Sequence, residues 1–214
     1  MKRRGFNLAG ILSVERKTAR ILAAFLVIEG GVVAYYCLIY GSKFLVYLGF
    51  AVGRYGTALG WWLALALTAF FVAYCARFPS VRANLVKPSW LKLLALPMAL
   101  AAGVLEEAVF RGTLMNLLEH RGAGVALQVL ASGLVFGLAH GIWGLFGRSP
   151  RAALGATLAT GLLGIGLALV YLAAERSLLP CVAAHTVIDA FIEPGMVLAA
   201  CHGEFRHPRS IRVL

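Results

Sequence analysis

Six apolar runs constrain this chain before any single residue does. They fall at about 20–40, 56–76, 93–117, 123–146, 152–174 and 178–201. Each is as long as the roughly 20 residues that a helix needs to cross a ~30 Å hydrocarbon core. In lipid every backbone N–H and C=O must be satisfied within the segment, so runs of this kind are helices. The spacing predicts an all-α fold, a polytopic transmembrane helix bundle of about six spans. Composition agrees: 61% of residues are hydrophobic, 14% are charged and the mean hydropathy is +0.84, unlike an ordinary soluble domain. The four cysteines (Cys37, Cys75, Cys181, Cys201) are scattered through apolar runs without a C-x-x-C, which reads as buried thiols rather than a zinc or disulfide framework.

A net charge of +11 invites a nucleic-acid partner, but the placement of the charges argues for membrane orientation. Basic residues concentrate in the tail 1–20, the loop 77–92 (Arg77, Arg82, Lys87, Lys92), the turn 147–151 (Arg148, Arg151) and the C-terminal tail. Lys43, Arg54, Arg121 and Arg176 alone fall on the other face, and Arg111 lies inside a span. By the positive-inside rule both termini are expected in the cytoplasm of a multi-pass protein, taken as one of the bacterial inner membrane, with no nucleic-acid partner. Glu15, Arg16, Lys17 and Arg20 interrupt any signal-peptide core. The expected layout is a basic tail (1–20), N-terminal helices with an interfacial segment at 41–55 (21–92), a second helix bundle (93–201) and a second basic tail (202–214). Pro97 and Gly103 in the third run, and Gly161, Gly164 and Gly166 in the fifth, point to bending or close helix packing.

Three polar constellations interrupt these runs: Glu106-Glu107-x-x-x-Arg111, Phe136-x-x-x-His140 and His185-x-x-x-Asp189. They hold three of the nine acidic residues, including the only aspartate, and two of the five histidines. An Asp or Arg at a helix centre costs roughly 2.5–3.5 kcal/mol even on the lenient insertion scale, so these groups are either paired or used. Glu107 and Arg111 are i,i+4 neighbours in the favoured acid-before-base order and can neutralise each other. Glu106 points about 100° away and has no sequence-local partner, which suits a group asked to take and return a proton. His185 and Asp189 share a second polar face. Taken singly, His140 is also what an interfacial residue looks like. Together, a carboxylate, two imidazoles and a further carboxyl from three helices are the parts needed to activate a water and stabilise an oxyanion. Helix rise puts Glu106 and His185 at similar depth and His140 roughly 10 Å nearer the cytoplasm.

At these residues the chain resembles the CPBP intramembrane proteases, the CAAX-protease/Abi family that includes the Ras-converting endopeptidases. That family's E-E-x-x-x-R, F-x-x-x-H and H-x-x-x-N/D motifs read here EEAVFR, FGLAH and HTVID, in order, within about 93–195. The resemblance implies a glutamate-dependent intramembrane endopeptidase acting near a membrane-embedded or lipid-anchored segment of a protein or peptide. Glu106 would be the general base and His140 would orient the water; His185 and Asp189 would stabilise the oxyanion, with Glu107, Arg111 and Phe136 supporting the site. No cofactor is implied, with zinc on Glu, His, His and Asp as the alternative. The departure is Asp189, where the Ras-converting members carry Asn. Two other classes stay open: a non-catalytic scaffold or immunity-type protein of the same fold, and a small proton-coupled transporter.

Among the remaining polar residues, Glu29, followed by Gly30-Gly31, could line a cavity but reads first as an interhelix hydrogen bond. His120, His202 and His207 read as solvated, and Trp61 and Trp62 as interfacial anchors.

Overall fold

The computed structural model describes residues 8–142 and 150–204, which are helical and, within that range, free of strands. In chain order the helices are α1 (Leu8–Tyr40), α2 (Ser42–Tyr47), α3 (Ala58–Cys75), α4 (Pro79–Asn84) and α5 (Trp90–His120). They continue as α6 (Val125–His140), α7 (Pro150–Ala173), α8 (Leu179–Ile192) and α9 (Gly195–His202). Lys2, Arg3, Arg4, Arg148, Arg206, Arg209, Arg212 and His207, with the end of the 123–146 run, lie outside the described residues.

Among the described residues, α3, α5, α7 and Leu12–Tyr40 of α1 are long and apolar enough to cross a membrane. Helices α8 and α9, bent by 49° where they meet, make a fifth if taken as one span. The expectation of about six differs at α6, whose 16 residues rise only about 24 Å, less than the hydrocarbon core. The chain is an integral membrane protein, and its exposed leucines, valines and aromatics on α1, α3, α5, α6 and α7 are the surface such a protein presents to lipid.

Local chemistry sets the helix ends. Thr57 caps α3 by accepting from Gly60 N at 3.0 Å, and Ser89 caps α5 by accepting from Lys92 N at 3.2 Å. Lys92 then reaches across to donate to the carbonyls of Phe191 (2.8 Å) and Glu193 (2.6 Å), satisfying the C-terminus of α8 with a cation. The α5 helix runs through Pro97 and changes winding at Ala108–Met115, a π-helical stretch. Its Ala108 carbonyl accepts from Thr113 Oγ1 (2.9 Å) and from the Tyr47 hydroxyl of α2 (3.1 Å). The 41–55 segment is thus anchored in the fold: Phe44 and Leu48 are buried in the core and Tyr47 clamps the π-helix.

Small residues decide which helices touch. Gly133 and Gly137 of α6 lie against Gly161 and Gly164 of α7, the close approach of a small-x-x-x-small contact. A Cβ on Gly137 would strike the Thr157 carbonyl and the Gly161 backbone. Gly103 gives the same closeness between α5 and Thr186 of α8. These two contacts draw the helices bearing His140, Glu106 and His185 around one core built on Phe71, Phe136, Leu167 and Ile188. A second cluster, centred on Leu22, Leu91, Met98 and Val197, seats α1 and α9 against α5.

Candidate active site

Glu106 and Glu107 leave α5 in different directions and meet different surroundings. Glu107 is fully buried; its Oε1 accepts from Arg111 Nη1 at 2.8 Å and lies 2.7 Å from His185 Nδ1. Arg111, also fully buried, spends a second donor on the Gly164 carbonyl at 2.9 Å and lays its guanidinium 4.7 Å from the Phe136 ring centre. Phe136 is the hub of the site, with ring centres 4.4 Å from His140, 5.7 Å from His185 and 5.0 Å from Phe110. An aromatic face against a guanidinium, a tilted contact with the His140 ring and an edge contact with His185 hold these side chains in one arrangement.

Glu106 is one-fifth exposed, and its Oε2 lacks a hydrogen-bond partner. That atom lies 3.7 Å from His140 Nε2 and 3.8 Å from His185 Nε2. His185 Nε2 is in turn 3.5 Å from Asp189 Oδ2. These separations are too long for direct hydrogen bonds, yet one oxygen at about 2.8 Å from each of two such atoms fits between them. His140 Nδ1 lies 2.9 Å from the Phe136 carbonyl, which can only accept. The proton is therefore on Nδ1, and in the neutral ring Nε2 offers its lone pair towards Glu106.

All of the residues singled out in the three motifs come together, and the expected depth offset of His140 disappears in the packing. Sequence reasoning missed two things. The partner of Glu107 is not Arg111 alone; His185 shares the same oxygen, so Glu107 orients the imidazole from its Nδ1 side while Asp189 stands on the Nε2 side. Glu29 is also not held by an interhelix hydrogen bond through its Oε2, which is buried without a partner. It lines a cavity of about 890 Å³ together with Glu106, His140, His185 and Asp189. The Gly30-Gly31 step beside it was the available signal: a Cβ on Gly30 would stand 3.9 Å from the Ala101 methyl where α1 meets α5. His120 and His202 are exposed as expected, though His202 Nδ1 lies 3.2 Å from Ser80 Oγ.

The cavity is mainly apolar, walled by Phe25, Phe71, Phe78, Met98, Ile192 and Met196, with Arg77 and Arg151 also on its lining. Among the described residues, no group of three or more His, Cys, Asp or Glu side chains has the arrangement of a metal site.

Residues 88–191, from the start of α5 to the end of α8, match the family model of Rce1-like type II CAAX prenyl endopeptidases. The matched segment, a little under half of the chain, is similar to this family of CAAX intramembrane endopeptidases and contains all three motifs. No curated protein and no solved structure matches it.

Proposed function

We propose that this chain, like the Rce1-like CAAX endopeptidases that its residues 88–191 match, hydrolyses a peptide bond beside a membrane-embedded or lipid-anchored segment of its substrate, with Glu106 as the general base. The observation that carries the reading is the unpartnered Glu106 Oε2, 3.7 Å from His140 Nε2, at the wall of a largely apolar cavity. A water between these two acceptors commits both its protons to them and turns a lone pair towards a substrate carbonyl. As its oxygen bonds to the carbonyl carbon, Glu106 takes one proton. When the C–N bond breaks, Glu106 returns that proton to the leaving amine. His185, whose Nδ1–H donates to Glu107, faces the oxyanion through Nε2–H as an imidazolium that donates from both nitrogens, with Asp189 as a second group on that side. Glu107 is in turn fixed by Arg111.

Arg77 and Arg151, both assigned to the basic face by sequence, line the cavity, so we read its mouth as cytoplasmic, with both termini on that side. The substrate class is a prenylated or otherwise lipid-anchored protein or peptide. Zinc remains the alternative cofactor, and chelation tests it. The decisive experiment is to present a farnesylated CAAX peptide, and a peptide with a plain apolar tail, to the protein in lipid vesicles and to identify the products by mass spectrometry. Cleavage of either by the parent and of neither by Glu106→Gln is the expected result. Undiminished cleavage by the variant overturns the assignment.

A further inference from the structure

Helix α1 lies outside the segment that carries the family match, yet it builds one wall of the cavity. Leu22, Phe25 and Glu29, spaced by three and four residues, share a helix face, and all three line the cavity. Glu29 is only 9% exposed and its Oε2 is buried without a hydrogen-bond partner. Buried polar atoms are almost always satisfied, so an orphaned one at a cavity wall marks where a ligand's donor belongs.

The charges around Glu29 select the kind of donor. Glu29 interacts electrostatically with Glu106, Asp189 and His185. Arg111, on the far side of the site, is already committed to Glu107 and to the Gly164 carbonyl. A neutral N–H from the substrate would satisfy the orphaned oxygen but leave the carboxyls facing one another. A cation does both, as buried charges require.

We propose that Glu29 is a specificity-determining residue that receives a basic substrate side chain near the scissile bond, while the partly exposed Phe25, backed by the buried Leu22, receives an apolar one further along. This rests on the reading of the cavity as a peptidase site. Phe25 and Glu29 are four positions apart on the helix, or about 6 Å. An extended peptide covers that distance in about two residues, so the basic and apolar positions of a preferred substrate stand about two residues apart.

The test walks a single lysine along an otherwise neutral, apolar prenyl-cysteine peptide, presented in phosphatidylcholine vesicles with the full chain. Cleavage is followed as kcat/KM on the parent, Glu29→Gln and Glu29→Asp. Peptide binding is measured separately with and without Glu29→Gln in a Glu106→Gln background. One or two adjacent lysine positions should raise both kcat/KM and affinity about tenfold over the neutral peptide. Glu29→Gln should level that preference, and Glu29→Asp should restore part of it. A flat profile in the parent, or a preference that survives Glu29→Gln, overturns the proposal. So does an equal loss on every peptide in Glu29→Gln that Glu29→Asp does not mend. Lysine-dependent binding without cleavage of any peptide by the parent would instead overturn the protease reading and leave the assignment of Glu29 standing.

Discussion

Two glutamates adjacent in sequence occupy opposite halves of the site. Around Glu107 the charges are paired at short range: Arg111 and His185 converge on Oε1, the Gly164 carbonyl takes a second guanidinium donor, and Phe136 packs over the whole, although Glu107 Oε2 and Arg111 Nε are buried without partners. Around Glu106 contacts are long, the side chain is one-fifth exposed, and an oxygen stands without a partner. The 100° turn between successive helix positions is enough to place one carboxylate in a closed network and the other at a cavity wall. Short charge pairs fix geometry, whereas an unpaired oxygen on a cavity wall has a lone pair that a substrate or water can reach.

The sharpest way to break this comparison is to alter the open half. Glu106→Gln keeps size and polarity but removes the proton acceptor. Turnover should fall by about 10²–10⁴-fold with the thermal unfolding midpoint unchanged, read by a peptide-cleavage assay beside a melt in the same vesicles or detergent. Near-normal turnover would mean that the two glutamates do not divide the work as their surroundings indicate.

The closed half should answer in stability. Arg111→Ala strands Glu107 with His185 as its only charged partner and opens a hole over Phe136. The expected loss is about 3–5 kcal/mol, seen as low yield of folded protein and a lowered unfolding temperature. A stable but slow Arg111→Ala protein would place Arg111 in the chemistry instead.

The contrast between the glutamates was legible in sequence because helix geometry is local: an i,i+4 acid–base pair and its odd neighbour can be read from six letters. So were the convergence of the three motifs, from their order in apolar runs, and the close packing at Gly103, Gly161 and Gly164. What was not legible is non-local. His185 reaches Glu107 across 78 positions, and no periodicity encodes that register. The π-helical winding of Ala108–Met115 also left no mark on the apolar pattern, since it rests on Tyr47, 61 positions away, and on Thr113. Nor could apolar length tell that α6 is short or that the last run bends between α8 and α9.

The π-helix carries Arg111 towards Glu107 and Gly164, so loosening it is a smaller probe of the closed half. Tyr47→Phe removes one donor from the Ala108 carbonyl and leaves Thr113 in place. The expected cost is about 0.5–1.5 kcal/mol, measured by thermal or denaturant unfolding. Turnover should fall less than for any change within the open half. A loss of activity on the scale of Glu106→Gln would show that the winding aligns Glu106 as well as Arg111.

The smallest effect is expected at Asp189, where this chain differs from the Ras-converting members. Its Oδ2 stands 3.5 Å from His185 Nε2, on the side where an oxyanion would form, while Nδ1 of the same ring is held by Glu107. Orientation of His185 therefore does not depend on Asp189, which leaves that carboxyl free to act as a donor when protonated. Asn at this position donates at every pH, whereas Asp donates only in its protonated form. Asp189→Asn should accordingly keep turnover within a few-fold of the parent, as the loss of one orienting contact with its partner held elsewhere implies, and should extend activity on the alkaline side. If Asp189 were instead a zinc ligand, the same change would weaken the metal, activity would fall, and chelator would inhibit the parent protein. One pH–rate profile of parent and variant, with and without chelator, separates the two. An active, chelator-insensitive Asp189→Asn protein is the expected result, and it would assign the open half of the site to proton transfer and hydrogen bonding.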